Sequence, residues 1–159
     1  MGLKRAALEK RIAAGERVLI DTSVFVAYLS HATDDETHEV AAVLFEEFII
    51  SGRNTAVVSP VTAMELLVRP LRVAPPRAAY VHAFLANTPN LDMPPIELHV
   101  AQEAASLRAT HRFQTPDALI IATGLVAQVH HLVTNDVQWR AKLTPIRARL
   151  TVTLPRDYI

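Results

Sequence analysis

The sequence predicts an α/β domain of three layers (α/β/α), with helices on both faces of a mostly parallel central sheet. Apolar runs of strand length, RVLI, TAVVS and HLV, alternate with longer segments of helical periodicity, the pattern of strands joined by helical crossovers. Two carboxylates, Asp21 and Asp136, stand just past such runs. The functional crevice of a parallel sheet opens there, beyond the carboxyl ends of its strands. The chain has no internal repeat, low-complexity tract or dividing linker, and one domain over 17–159 is expected after a helical extension over 1–16.

In order, LKRAALEKRIAA places Leu3, Ala7, Leu8 and Ile12 at helical spacing, and Gly15 ends that helix. RVLI is the first strand and stops at Asp21. TSVFVAYLS and DETHEVAAVLFEEFIISG read as two helices, the second carrying Val40, Val43, Leu44 and Phe48 along one side and closed by Gly52. TAVVS is a second strand. SPVTAMELLVRPL opens with Ser59 as N-cap and Pro60 in the first turn, and Pro70 is expected to end it. PPRAAYVHAFLAN and IELHVAQEAASLRATHR are further helices around a short NLDM strand. TPDALIIATGLVAQ is expected to start with Thr115 as N-cap and to be buried, being apolar nearly all round. HLVTND reads as strand then turn, and ARLTVTL as a last edge strand.

Half of the 159 residues are apolar, enough for a sizeable core without disulfides, and cysteine is absent. No apolar run approaches a membrane span, and MGLKRAALEKRIAAGER lacks a signal peptide's continuous apolar stretch. A cytoplasmic protein is the expectation. Lys+Arg and Asp+Glu both total 16, so attraction to nucleic acid must come from local patches. The charges are segregated: every charged side chain from Val18 through Gly52 is acidic, and WRAKLTPIRARLTVTLPR carries only basic ones. Solvated faces explain such blocks equally well.

An ionised Asp in the middle of VLIDTSVFV costs several kcal/mol unless a charge or hydrogen bonds meet it. Glu65 raises the same difficulty beside the Val61, Met64, Val68 and Leu71 stripe, expected to be buried. Asp117 in a helix's first turn suits the dipole, and Asp136 suits a turn. Singly, each has such a bland explanation. Together, four carboxylates at strand ends and on buried helices point to one pocket, where they would repel and raise one another's pKa values. A hard divalent cation, Mg2+ or Mn2+, resolves that conflict, and can activate a water for in-line attack at phosphorus.

At these residues the sequence resembles the PIN-domain family of metal-dependent ribonucleases, and within it the VapC-type toxins of toxin-antitoxin pairs. The match runs from about Val18 to about Leu154. VLIDTSVFV looks like the family's first strand and its Asp, SPVTAMELLVRP like the helix with its Glu, TPDALIIATGL like the helix with the third acid, and HLVTND like the turn with the fourth. The resemblance implies that Asp21, Glu65, Asp117 and Asp136 bind Mg2+ or Mn2+ and are catalytic. Thr22, Ser23 and Thr134 fall where the family has small polar residues supporting the acids or the attacking water. It further implies an RNA substrate, a homodimer, and a small antitoxin whose C-terminal segment covers the site. The segment before the first strand departs from the family, and three readings of it stay open: a dimer or antitoxin contact, a basic RNA-facing helix, or an uninformative extension.

Among the basic residues Arg69, Arg72, Arg112, Arg140, Lys142, Arg147 and Arg149 are candidate phosphate contacts. Arg112, just before the Asp117 helix, comes first, then Arg69 and Arg140. Seven histidines suggest zinc until the spacing is read: His130 and His131 are adjacent and diverge, with no His-Glu-x-x-His motif or cysteine. An aspartyl-phosphate phosphatase needs a second acid two residues past Asp21, where Ser23 stands, and a receiver domain needs an adjacent acidic pair that LIDTS lacks. The serious rival is a catalytically weak scaffold of the same fold that binds RNA or protein.

Overall fold

The computed structural model describes residues 3–30 and 36–159. The expected start of the second helix at Asp35, and the acids Asp34 and Asp35 of the acidic block, lie outside the described residues, as do residues 1–2 of the extension.

Five strands form one sheet: β1 (Arg17–Ile20), β2 (Thr55–Val57), β3 (Leu91–Asp92), β4 (His131–Val133) and β5 (Thr151–Thr153). Their order is β3-β2-β1-β4-β5 and every pairing is parallel. The first strand is therefore central, with Leu19 opposite Val57 on one side and Leu132 on the other. Successive side chains point to opposite faces. Val18, Ile20, Ala56, Val58 and Val133 belong to one core cluster, and Leu19, Val57, Leu132 and Val152 to the other.

The first face is covered by α1 (Arg5–Arg11), α2 (Thr22–Leu29), α3 (His38–Ala42) with the wide π turns Val43–Ile50 that continue it, and α5 (Pro75–Asn87). The second face takes α6 (Leu98–His111), α7 (Thr115–Val126) and α8 (Val137–Lys142). The helix α4 (Pro60–Val73) spans both, sending Leu66 into the first cluster and Val61 into the second. The three-layer α/β/α arrangement is thus as the alternation predicts. Among the described residues, no helix is long and apolar enough to cross a membrane.

Leu8 and Ile12 of the N-terminal extension are buried in the first cluster. The corner between α1 and β1 is tied to the 53–54 loop, because Asn54 donates to Ala13 O (2.7 Å) and Glu16 O (2.8 Å) and Arg53 O accepts from Gly15 N–H (2.9 Å). Gly52 (φ +83°) takes the left-handed conformation directly past the preceding helical segment, whereas Gly15 (φ +85°) sits in a turn four residues beyond Arg11: α1 ends not at Gly15 but at Ile12, whose backbone is extended.

Three local expectations are corrected. Pro70 does not end α4; the Ala74 N–H still bonds Pro70 O at 2.8 Å, and the break falls at Ala74, whose successor Pro75 disfavours helical backbone there. The Met64, Val68 and Leu71 stripe faces outward, at 51%, 47% and 63% exposure, while Val61, Thr62 and Leu66 bury instead. Periodicity finds an apolar face without saying which face meets the core. The N-cap of α7 is Gln114, one residue earlier than Thr115.

Candidate functional site

The C-terminal ends of β1 and β4 set two of the four acids. Asp21 caps α2, and its Oδ2 accepts from the Ser23 N–H (3.4 Å), the Ser23 hydroxyl (2.7 Å) and the Thr134 hydroxyl (2.8 Å). Only 6% of Asp21 is exposed, so these donors answer the cost of burying it. Asp136 caps α8 by accepting from the Gln138 N–H at 2.9 Å. Its own N–H donates to Thr134 Oγ1 at 3.0 Å. Fully buried Thr134 thereby links the two acids through one hydroxyl.

Glu65 comes from α4, where the Thr22 hydroxyl donates to its Oε2 at 2.6 Å and lies 3.1 Å from the Thr62 hydroxyl. Asp117 comes from the first turn of α7, a helix with seven buried residues. Burial, followed by the charges of Asp21, Glu65 and Asp136, pushes the Asp117 carboxyl above its usual range, while Lys142 pulls it back. The three other acids therefore act on Asp117 through space, which places the four in one electrostatic neighbourhood.

Among the described residues, no three His, Asp or Glu side chains stand close enough to enclose a metal ion unaided. The donor chemistry nonetheless suits a hard cation that keeps much of its water, since Mg2+ takes only one or two carboxylates and completes its shell with water and phosphate. Asp21 and Glu65 held by hydroxyls, Asp136 held by the Gln138 N–H, and Asp117 raised by burial and by its like-charged neighbours form such a set. Asn135 Oδ1 is also buried without a hydrogen-bond partner, between Thr134 and Asp136 in the chain.

The supporting hydroxyls of Thr22, Ser23 and Thr134 all bond an acid. Sequence reasoning missed Thr62 and Asn135. The Asn135 N–H donates to Ser23 Oγ at 3.0 Å, and its side-chain amide reaches Thr37 Oγ1 at 3.3 Å. The adjacency of Asn135 to Asp136 was its only signal. Of the basic candidates, Lys142 is the one whose charge acts on Asp117. Arg112 is exposed with left-handed backbone (φ 57°) at the end of α6. Arg69 lines a groove of about 430 Å³ with Glu65, Val26, Leu66 and Val73, and Arg140 is ion-paired with Asp157.

Fold and site together define an α/β domain with hydrogen-bonded carboxylates at the carboxyl end of a parallel sheet. The PIN domain family matches residues 18–142, and the chain belongs to that family. Among solved structures, the chain is similar to a toxin-antitoxin complex from Klebsiella pneumoniae (19% identity, TM-score 0.64, covering 87% of this chain and 97% of that one). It is also similar to VapBC-1 from nontypeable Haemophilus influenzae (14%, TM-score 0.63, 88% and 98%). The Sarcin-Ricin loop cleaving toxin VapC20 of Mycobacterium tuberculosis matches at 16% identity and TM-score 0.58, over 72% and 86%. No curated protein matches the chain in sequence.

Proposed function

We propose that the protein is a Mg2+- or Mn2+-dependent endoribonuclease, the toxin of a toxin-antitoxin pair. The observation that carries this reading is geometric: Asp21 and Asp136, at the ends of β1 and β4, are joined through the Thr134 hydroxyl, and the Thr22 hydroxyl next to Asp21 bonds Glu65; burial and the charges of these three acids together raise the Asp117 carboxyl. Family membership and the likeness to toxin structures support it.

Asp21, Glu65, Asp117 and Asp136 are the residues that would hold the ion. When bound, such an ion lowers the pKa of an attacking water and neutralises charge growing on the phosphoryl oxygens. The reaction joins a water oxygen to phosphorus and breaks the opposite P–O ester bond, leaving a phosphate monoester and a hydroxyl. The chain's own part is positioning. Ser23 and Thr134 fix the Asp21 carboxylate, Thr22 fixes Glu65, and Thr134 ties the start of α8 to Asp21. The Lys142 ammonium supplies fixed positive charge beside an otherwise anionic pocket.

An antitoxin partner is supported by the groove between α2, α4 and α5, which adjoins Glu65 and leaves Val26 and Val73 exposed, and by the separate exposed face of α4 that carries Met64, Val68 and Leu71. Covering apolar surface of this kind is what a partner segment or a second copy of the chain in a homodimer does.

The test is metal dependence. RNA should be cut in Mg2+ or Mn2+, spared in chelator, and spared by Asp21→Asn and Asp117→Asn. Wild-type protein that binds RNA and leaves it intact across divalent metals overturns the enzyme reading in favour of a binding scaffold. For the toxin role, induced expression should arrest growth and co-expression of the adjacent small gene product should relieve it; unaffected growth counts against it.

A further inference from the structure

Beside the edge strand β5, a cleft of about 360 Å³ is lined by Arg11, Arg140 and Arg147 together with Leu143, Thr144 and Val152. Among the described residues, no acidic one lines it. The three arginines come from distant parts of the chain: Arg11 from α1, Arg140 from α8 and Arg147 from the turn before β5. Arg11 is aimed by the strand, donating from Nε to Thr153 Oγ1 (3.4 Å) and from Nη2 to Val152 O (3.3 Å). Burial pushes the Tyr158 phenol up, and Arg11 and Arg140 both pull it down, so the two guanidiniums share one neighbourhood. Asp157 neutralises Arg140. Among the described residues Arg147 has no ion pair, and the cleft keeps an excess of positive charge.

We infer that this cleft seats backbone phosphates of single-stranded RNA adjacent to the scissile phosphate. The inference rests on the nuclease reading of the acidic pocket. Its location argues for it: Asp136 caps α8 and Arg140 lies four residues farther along the same helix, about 6 Å of helical rise, so one short element joins the acids to the cleft. Planar guanidiniums match phosphate oxygens. The N-terminal extension thereby acquires a task, with Arg11 as its contribution.

The experiment measures binding of a fluorescent oligoribonucleotide of about ten nucleotides in chelator, where cleavage plays no part. Arg147→Gln should weaken affinity roughly fivefold and flatten the dependence of log K on log salt by about 0.7, one lost phosphate contact on a single strand. Arg11→Gln should act similarly, and since Arg11 also bonds the strand, its melting temperature is compared with wild type. Wild-type affinity and salt slope in Arg147→Gln overturn the inference, as does a loss confined to binding of an acidic protein partner. If the variants lose affinity while the wild type cuts no RNA in any metal, the cleft stands and the nuclease reading falls. If the wild type cuts and the variants bind normally, the reverse holds.

Discussion

At Asp21 three donors converge on Oδ2, and two of them, the Ser23 and Thr134 hydroxyls, are themselves anchored to backbone N–H groups of Asn135 and Asp136. Removing the Thr134 hydroxyl therefore disturbs two acids at once. Thr134→Val keeps the volume and deletes the link, and metal-dependent cleavage should fall by about 10- to 100-fold with little change in circular dichroism. Asp117 offers a second test. Its raised pKa means that the folded, metal-free protein holds the Asp117 proton to a higher pH than the unfolded chain does. A raised folded-state pKa contributes stability that is fully present below the ordinary value of 3.8 and is lost as pH rises through the folded-state value. The melting temperature of metal-free wild type, taken relative to Asp117→Asn, should thus decline as pH climbs through that window, and Mg2+ should restore it at neutral pH. A difference that stays flat with pH would mean that the neighbouring charges are not felt.

At the scale of elements, α7 meets β1 where Gly124 has no side chain. A Cβ there would stand 2.7 Å from Leu19 Cδ2 and 3.2 Å from both Leu19 Cβ and Val129 Cγ2. Gly124→Ala gains about 1 kcal/mol of helix propensity against an overpacking cost of about 1 to 3 kcal/mol. A net loss of about 1 kcal/mol should appear in urea unfolding; a gain would show that Leu19 turns aside freely. The elements themselves were largely legible. RVLI, TAVVS, NLDM, HLV and the TVT of ARLTVTL all form strands, because short apolar runs bounded by turn residues leave few alternatives. The hydroxyls of Thr22, Ser23 and Thr134 were legible through their nearness to acids. Thr62 and the outward turn of Met64, Val68 and Leu71 were not, since they depend on how α4 rotates against α2 and α7, which no local pattern records. Nor was the meeting of Arg11 with Arg140 and Arg147, separated by more than a hundred residues and joined only by the order of the sheet.

Across the whole molecule, the two ends of the sheet respond to acid in opposite senses. At the N-terminal end buried His131 bonds Glu16 through Nε2 at 2.7 Å and lies 3.3 Å through Nδ1 from Thr153 Oγ1. Burial pushes the His131 pKa down, with Glu16 pulling it back. Burial pushes Glu16 up, but His131 and the Ala13 N–H outweigh it and leave Glu16 below its ordinary value. A depressed folded-state pKa contributes stability that is present above the ordinary value, 6.5 for His131 and 4.5 for Glu16, and is lost as pH falls through the folded-state value. Acid should therefore loosen the joint between α1 and the sheet while easing the carboxylate pocket at the other end. His131→Gln should blunt the loss of stability below pH 6.5, read from thermal melts. Between these ends runs α7, with Ala118, Ile120, Ile121 and Ala122 at 1% exposure or less. In terms of time, that burial makes Asp117 one of the slowest groups in the protein to relocate, for no partial opening moves a helix enclosed by sheet and helices. Its amides should exchange with deuterium only through global unfolding, and the pocket should keep its shape over every interval shorter than the lifetime of the fold.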